Sequence, residues 1–552
     1  MASSAEKLTP WNNWPNDAGV LDVHHEERSP IDLKVTGTIP SYVSGTLYRT
    51  GPGGGYQVKA EDGTTWSVDH WFDGFTQNHR FQIIQPTDGS STRVIYNSRS
   101  SCDHLMETIR KTGSLEKFSF GQKRDPCMSF FRKVMSMFIP SKEASVTDNA
   151  NIGVTISVNP PGSKDPTGKS PGPKEGHASG IQALWTKTDA SSFRELDPET
   201  LEPIGFATQE SLNPELIGKL SAAHAKSDPV TGDVYNYNLQ LGRPTTYRIF
   251  RVSATTAKTD IIAIITDAPG AYLHSSLITE NYFILCVWSG HYAWSGAKLL
   301  WEKNILDAIE PFDPAKKALW YVVDRKHGKG VVAKYECDPF FCFHTINAWE
   351  EPSSSDPSQT DIVADLSAYK NLDVIKRYYY NSIKSTSPGS LNYIGDKRES
   401  SRMSLRRYRK SRDALAEHVA NAENSCDLPV VNPRFITQPT RYTYGVGDRG
   451  HSTFYDCLLK YNMESSETLV WSEKGQNTGE PIFVVDPQGS DEDDGVLLTV
   501  VLDGFKEKSY LLVLDASTMK EVGRASMECV VGFGLHGTYY PKSIKSSPGF
   551  DI

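Results

Sequence analysis

Short β-strand patterns separated by turn-forming residues run through almost the whole 552-residue chain. Each run is rich in β-branched or aromatic residues and is bounded by Gly, Pro, Asp or Asn, as strands in sheets commonly are. The clearest runs are 46–50, 92–98, 245–253, 260–266, 282–288, 482–486, 495–503 and 509–515. Long amphipathic helical patterns are few. This pattern predicts an all-β sandwich, barrel or propeller.

One phrase occurs twice, at widely separated positions. LDPETLEPIG (196–205) and LDASTMKEVG (514–523) share L-D-x-x-T-[L/M]-x-x-[I/V]-G. The Asp and Thr of this phrase can hydrogen-bond the backbone of a tight turn between two strands. A hairpin design that is reused along a β-rich chain favours a propeller, because each blade repeats one unit. We therefore expect residues 1–552 to form one β-propeller domain.

Composition excludes several classes of function. The net charge of −9 argues against a nucleic-acid-binding protein, which is usually basic. The eight cysteines form no CxxC pair, so the sequence predicts neither a zinc finger nor a thioredoxin-like site. No apolar run approaches the roughly 18 residues that span a bilayer, and the first residues do not resemble a signal peptide. These features lead us to expect a cytoplasmic protein with reduced thiols.

Three segments depart from the strand pattern. Residues 160–180 are rich in Pro, Gly and Lys and predict a surface insertion. Residues 396–424 are basic and then helix-like, which also indicates a surface insertion, with a membrane or regulatory contact as the alternative. Residues 127–142 combine Met, Phe, Val and Ile with a few basic residues. A helix of this composition can lie in a membrane interface. The alternative interpretation is a helix buried in the core.

Four of the 14 histidines border predicted strands or tight turns amid apolar or small residues: His224, His274, His344 and His536. Any one of them alone could be an ordinary core histidine. Four in matching contexts would converge if the strands radiate around one axis, which a propeller provides. Iron(II) accepts imidazole ligands readily, although its commonest mononuclear site uses two His and one carboxylate. Acidic partners would fix the tautomers of a four-histidine site.

Motifs over nearly the whole chain resemble the carotenoid cleavage oxygenase family. They are VTGTIPSYVSGTLYRTGPG (35–53), DHWFDGFTQNHRF (69–81), SAAH, YLHSS, FCFHTINAWEE, DLPVVNPRF (427–435), EPIFV (480–484), EDDGVLLTVVLD (492–503) and GFGLHG, in the family's order. The resemblance implies a seven-bladed β-propeller with Fe(2+) on its axis and a helical or loop cap over that face. It also implies that the four histidines bind the iron and that three carboxylates hold them: Asp189, Asp427 and Glu480.

The chain departs from the family pattern in two places. The family commonly has Glu at all three carboxylate positions, whereas Asp189 and Asp427 are one methylene shorter. Either the strands lie closer there or a water intervenes. The motif H-W-F-D-G-D-G reads HWFDGFTQN here, so Asp73 and Gly74 remain and the second Asp-Gly is absent. This change resembles a fungal branch that cleaves torulene or β-carotene.

The resemblance implies a dioxygenase that cleaves one conjugated C=C bond of a carotenoid to two carbonyl products. Its substrate tunnel is expected to be apolar and to open toward a membrane-contacting patch at 127–142, which predicts peripheral membrane association. Thr188, Phe343 and Leu535 flank the expected ligands in sequence and could line the tunnel or belong to the core. The alternatives are a stilbene-type dioxygenase, a non-oxidative retinoid isomerohydrolase and a metal-free propeller scaffold.

Overall fold

A computed structural model describes residues 11, 13–20, 25–53, 57–85, 91–115, 117–123, 150–162, 180–354, 356–410, 415–421 and 424–542. Strands dominate this part of the chain. In chain order, β1 to β32 are Ile31–Gly37, Gly45–Pro52, Gln57–Lys59, Thr65–Ser67, Thr76–Ile84, Arg93–Ser100, Thr155–Val158, Leu184–Lys187, Ser192–Leu196, Pro203–Thr208, Lys226–Ser227, Val234–Gln240, Thr246–Val252, Thr259–Ile265, Leu277–Ile278, Tyr282–Val287, Ala318–Asp324, Val331–Cys337, Phe341–Pro352, Thr360–Tyr369, Met403–Lys410, Leu415–Val419, Asp427–Val430, Tyr442–Gly447, Cys457–Asn462, Thr468–Trp471, Gln476–Thr478, Ile482–Val485, Gly495–Asp503, Lys508–Asp515, Glu521–Ser526 and His536–Pro541.

The helices are short. The α-helices are Asp103–Thr112, Gln209–Leu212, Ala297–Glu302, Ile305–Ala308, Asp373–Arg377, Tyr380–Ile383 and Asp396–Ser400, and the 3-10 turns are Asp17–Gly19, Ser41–Val43, Trp71–Asp73, Ala293–Gly296, Pro388–Tyr393 and Pro433–Phe435. Among the described residues, no helix has both the length and the apolar character needed to cross a bilayer.

Five four-stranded antiparallel sheets follow one another along the chain. They contain β7 to β10, β11 to β14, β15 to β18, β19 to β22 and β23 to β26, each made of consecutive strands. A ten-stranded sheet combines β1, β2, β5 and β6 with β27 to β32. Edge strands of different sheets pack side by side, including β32 with β7, β15 with β19, and β19 with β23. This arrangement confirms the predicted all-β, propeller-like fold.

The repeated hairpin of the sequence is a defined turn. Oδ1 of Asp197 accepts hydrogen bonds from the N–H groups of Glu199 and Thr200, and Leu201 has a φ of 63°. Oδ1 of Asp515 accepts the N–H of Thr518, and Met519 has a φ of 57°. The side chain replaces a backbone acceptor and permits the left-handed residue that reverses the chain.

The same turn recurs where no repeat is visible in the sequence. An Asp or Asn accepts two N–H groups from the residues two and three positions later, and the residue four positions later has positive φ. The four further turns begin at Asp228, Asp324, Asn462 and Asp503. Only the Asp or Asn and the left-handed residue four positions later are shared, so the sequence shows two copies, whereas the backbone of the described residues shows six.

The predicted surface insertion at 396–424 is wrong for the described residues. Residues 396–400 form a helix, and β21 and β22 are the last two strands of a four-stranded sheet, with β21 between β20 and β22. Met403 and Leu405 are buried in it, while the guanidinium of Arg407 makes a bidentate pair with Asp365 on β20. The insertion predicted at 160–180 lies between β7 and β8, and its residues 163–179 fall outside the described part, as do all of 127–142.

Asp73 fixes the segment that leads toward residue 123. Its carboxylate accepts the backbone N–H groups of Phe120 at 2.6 Å and Gly121 at 2.7 Å. Burial raises the pKa of Asp73 to about 6, although these two N–H groups lower it. The neighbouring Gly74 leaves no room for a side chain, because a Cβ there would lie 2.5 Å from Cβ of Pro52.

We expect Asp73 to make stability depend on pH. A carboxyl with a pKa of about 6 when folded and 3.8 in the unfolded chain binds its proton more tightly when folded. The resulting stabilisation is present at low pH and is lost as pH rises toward 6, by at most about 1.4 kcal/mol per unit. The free energy of unfolding of the metal-free protein, relative to D73N, should therefore fall between pH 4.5 and pH 7 in urea titrations. Equal pH dependence of the two proteins would contradict this assignment.

Candidate metal centre

The four nominated histidines lie on or beside edge strands of four different sheets. His344 is within β19, next to a shift in its register with β20, and His536 is the first residue of β32. His224 lies just before β11, and His274 lies just before β15. His224 also pairs with Ser275 in an isolated parallel bridge. Each edge strand thus carries one imidazole toward the same place.

The imidazoles meet at one point. One nitrogen from each ring can be chosen so that all four lie within 4.8 Å of one another. Nε2 of His536 is 3.0 Å from Nε2 of His224 and 3.3 Å from Nε2 of His344. All four side chains are buried. The structure therefore brings together the complete set that the sequence nominated.

The three nominated carboxylates each accept a hydrogen bond from one of these rings. Nδ1 of His274 donates to Oδ1 of Asp189 at 2.8 Å, and Nδ1 of His344 donates to Oδ1 of Asp427 at 2.6 Å. Nδ1 of His536 donates to Oε1 of Glu480 at 2.7 Å. A carboxylate on Nδ1 fixes the tautomer with its lone pair on Nε2, the arrangement typical of metal-binding histidine.

The shorter aspartates reach their histidines directly. Backbone position accounts for this at Asp189, whose carbonyl accepts the N–H of Ser221 and whose Oδ1 accepts the N–H of Ala223. These contacts draw Asp189 against the segment that leads into His224. Of the two arrangements considered from the sequence, the structure shows close approach and not an intervening water.

The site fits a cation. Because His344 and His536 both donate from Nδ1, neither Nε2 carries a proton, and a hydrogen bond cannot join two lone pairs that lie 3.3 Å apart. Burial lowers the pKa of His344 to about 4 and holds the pKa values of His224 and His536 well below their usual range. The imidazoles of His224, His344 and His536 are thus neutral near pH 7, as a metal requires of its imidazole ligands.

Further polar groups contact two of the carboxylates that bind the imidazoles, Asp427 and Glu480, and change their pKa values. Burial would raise the pKa of Asp427, but His344, the hydroxyl of Tyr369 and the N–H of Leu428 outweigh burial and lower it. Burial raises the pKa of Glu480 to about 7, against the opposing effects of Arg49 and the backbone N–H of Gly537.

Aromatic rings cover one side of the histidines. We call Phe72, Phe120, Tyr272, Phe343 and Tyr378 the aromatic wall. The ring of Phe343 lies 6.0 Å from that of His274, 5.5 Å from Phe72 and 6.2 Å from Tyr378. The ring of Phe120 lies 4.8 Å from Phe72 and 5.4 Å from Tyr272. These residues place a dense apolar surface beside the metal centre.

Thr188 and Leu535, the other two residues predicted to line the tunnel, are each next in sequence to a residue of the site. Thr188 is partly buried and directly precedes Asp189. Leu535 is buried and donates its N–H to the carbonyl of Thr50. A tunnel role for Thr188, Phe343 and Leu535 stays a prediction.

Sequence reasoning missed most of the aromatic wall. Phe72 and Phe120 come from segments far from the histidines in the chain, and no spacing rule links them. Tyr272 could have been found from the sequence, since it lies two residues before His274 in the YLHSS motif.

A small cavity of about 110 Å³ lies elsewhere, between the sheet of β7 to β10 and the sheet of β11 to β14. Trp185, Phe193 and Phe250 contribute to its lining. Ligand pockets for drug-sized molecules are about 300–1,000 Å³, so this space is too small for a long polyene.

Comparison with known proteins assigns the family. The family model described as retinal pigment epithelial membrane protein matches residues 20–541. The chain belongs to the carotenoid oxygenase family. This result confirms the predicted family, and the names of the relatives confirm the prediction of an enzyme of the carotenoid cleavage dioxygenase class.

Named relatives of this carotenoid oxygenase include fungal enzymes. It is 39% identical to a carotenoid dioxygenase of Neurospora crassa, over 96% of this chain and 92% of the relative. It is 40% identical to a torulene dioxygenase of Fusarium fujikuroi, over 96% of this chain and 94% of the relative. A solved structure of a Synechocystis apocarotenoid oxygenase variant superposes with a TM-score of 0.72 at 20% identity, covering 97% of this chain and 99% of that one.

Removing one imidazole of this carotenoid oxygenase should remove the metal. We expect His274→Ala to lower bound metal by about tenfold or more after anaerobic reconstitution, because changes even to groups that hold a ligand cost 10–100-fold. Inductively coupled plasma mass spectrometry measures the metal, and circular dichroism should show unchanged strand content. His291→Ala is the matched control, since His291 is buried but lies outside the cluster. Full metal content in H274A would exclude His274 from the site.

Proposed function

We propose that this protein is an iron(II)-dependent dioxygenase that cleaves one conjugated C=C bond of a carotenoid to two carbonyl products. The substrate is torulene, β-carotene or a related apocarotenoid. The observation that carries the proposal is the buried set of four imidazoles beside an aromatic wall. The names of the fungal relatives, carotenoid dioxygenase and torulene dioxygenase, support the substrate class.

The metal would be held by His224, His274, His344 and His536, and imidazole ligands suit iron(II). A cobalt-substituted form of the Synechocystis enzyme is among the similar solved structures, which supports a divalent metal. When bound, iron(II) supplies the redox chemistry that allows dioxygen to react with an alkene. Both atoms of dioxygen enter the products, one on each carbon of the cleaved bond, so the reaction needs no further reductant.

The protein's own residues would supply position and a dry environment. Asp189, Asp427 and Glu480 hold three rings by Nδ1 and keep each Nε2 directed inward. The aromatic wall offers flat apolar surfaces against which a polyene can lie. Such surfaces exclude water and fix which double bond is presented, and positioning of this kind contributes much of the rate of an enzymatic reaction.

Seven blades are the most direct account of the sheets. Residues 31–33 of β1 pair with β6, whereas residues 34–37 pair with β31, so β1 crosses between two units of the ten-stranded sheet. One unit is β32, β2, β5 and β6, and the other contains β27 to β31. Together with the five four-stranded sheets, these two units support the proposal of seven blades.

The cap over the metal-bearing face would come from the helical segment between β20 and β21. Within it, the carbonyl of Tyr378 accepts the N–H of Trp71, and Tyr379 bridges to His70. These contacts join the helical segment to the segment that carries Phe72. Both segments contribute to the aromatic wall, so the cap would also help to form the substrate site.

Peripheral association with a membrane from the cytoplasm is the other part of the proposal. Phe118, Trp294 and Leu300 are exposed by 56%, 64% and 69%. The N–H of Ser119 donates to the carbonyl of Lys303, which places Phe118 beside the helix that carries Leu300. Phe120, two residues on, belongs to the aromatic wall. An exposed apolar patch next to the substrate surface suits extraction of a water-insoluble polyene from lipid.

Oxygen dependence of polyene bleaching tests the reaction. Purified iron-loaded protein is mixed with torulene or β-carotene in detergent micelles, with and without dioxygen, and products are identified by mass spectrometry. We expect loss of the polyene absorption only with dioxygen, and two carbonyl fragments that together account for the substrate. Cleavage of resveratrol instead would indicate a stilbene-type enzyme, and oxygen-independent turnover of retinyl ester would indicate an isomerohydrolase. H274A is the control.

Membrane contact is tested separately with a Trp294→Ser, Leu300→Ser double variant. Burial of each side chain in an apolar phase contributes about 1.5–3 kcal/mol, so we expect binding to phosphatidylcholine vesicles to weaken by at least about tenfold in co-sedimentation. Val230→Ser is the matched control, because Val230 is 90% exposed on the turn that begins at Asp228. Equal binding by wild type and double variant would place the membrane-contacting surface elsewhere.

A further inference from the structure

We propose that Tyr369 and Tyr455 are positioning residues that hold the shortened carboxylate Asp427 in place against His344. The inference rests on the proposed function, because it takes His344 to be a metal ligand. The hydroxyl of Tyr369 donates a short hydrogen bond to Oδ2 of Asp427, and the hydroxyl of Tyr455 approaches the same oxygen at 3.4 Å. Asp427 and both tyrosines are buried.

The two oxygens of Asp427 have separate partners. Oδ1 accepts Nδ1–H of His344 at 2.6 Å and its own neighbour's N–H, from Leu428, at 2.9 Å. Oδ2 accepts the hydroxyl groups of Tyr369 and Tyr455. Rotation of the carboxylate about its Cβ–Cγ bond would break both sets at once. The orientation of Asp427, and through it the direction of His344 Nε2, therefore depends on the hydroxyl of Tyr369.

The phenols come from two different sheets. Tyr369 ends β20 and pairs with Phe341 of β19, the strand that also carries His344. Tyr455 lies just before β25, in the sheet that contains Asp427. Asp427 is thus held from its own sheet and from the sheet of its histidine. A third phenol, that of Tyr378, lies 2.6 Å from the hydroxyl of Tyr455 and joins this group to the aromatic wall.

A related arrangement occurs at the other shortened carboxylate. Nδ1 of His274 lies 2.8 Å from Oδ1 and 3.0 Å from Oδ2 of Asp189, and Oδ2 also accepts the hydroxyl of Tyr272 at 2.9 Å. Glu480, the carboxylate of full length, is held differently: its Oε2 accepts Arg49 at 3.1 Å and the N–H of Gly537 at 2.8 Å. Oδ2 of each aspartate therefore accepts a phenol, whereas the partners of Oε2 of Glu480 are a guanidinium and a backbone N–H.

This geometry predicts compensation between residues 369 and 427. In D427E the longer side chain would drive its outer oxygen toward the Tyr369 hydroxyl, so metal binding should weaken. In Y369F the outer oxygen of Asp427 loses its nearest donor, and metal binding should also weaken. In the double variant the missing hydroxyl makes room for the longer carboxylate, so much of the affinity should return.

Cobalt(II) titration of the apo protein measures this without substrate or dioxygen. The visible absorption bands of bound cobalt report both affinity and ligand geometry. We expect about tenfold weaker binding or more in Y369F and in D427E, a smaller loss in Y455F, and recovery in the Y369F, D427E double variant. Tyr48→Phe is the matched control, because Tyr48 is also a buried tyrosine whose hydroxyl donates a hydrogen bond, to the carbonyl of Pro198 at 2.7 Å, away from the four histidines.

The outcomes separate the two proposals. Cobalt affinity of Y369F within twofold of wild type, or additive losses in the double variant, would overturn the positioning role. If Y369F alone does not fold, the comparison of Y455F with Y48F and of D427E with the double variant decides the question. A third outcome is that wild-type protein binds cobalt and the variants show this compensation, but iron-loaded wild-type protein cleaves no polyene. That result would overturn the proposed reaction and leave the positioning role standing.

Discussion

Repulsion between unprotonated imidazole nitrogens is the constraint on which the centre depends. Nε2 of His344 and Nε2 of His536 face each other at 3.3 Å, and both Nδ1 protons are committed to carboxylates. Burial disfavours protonation of His224, His344 and His536 and lowers their pKa values. A bound cation would remove this repulsion by accepting the lone pairs, and the carboxylates would balance part of its charge. Folding and metal binding would therefore be coupled at this point.

Holding four such rings in place demands a rigid frame, and the sheets provide it. Each imidazole comes from an edge strand or the residues just before one, and neighbouring edge strands pack against one another. In the part of the chain that the structure describes, six of the turns that connect neighbouring strands use the same Asp or Asn design. Local turn chemistry thus supports the position of groups far away in the chain.

Much of the site could be predicted from the sequence, and the predictions that were wrong have physical causes. The four histidines and three carboxylates stand in short motifs whose order is visible along the chain. The segment 396–424 was misjudged because its charge pattern resembles a solvated surface. In the folded chain, Arg406 and Arg407 of β21 instead pair with Glu417 and Asp365 on the adjacent strands. Cross-strand pairing of charges depends on register, which composition does not reveal.

The sequence by itself determined the strand-rich character, the family and the residues able to bind a metal, because these depend on residue type and local pattern. Only the tertiary structure decided that Asp189 and Asp427 reach their histidines directly, that phenols hold their outer oxygens, and that Phe72 and Tyr378 lie beside Phe343. Those contacts join residues that are tens to hundreds of positions apart. Their distances are set by how the sheets pack, and packing is a property of the whole chain and not of any one segment.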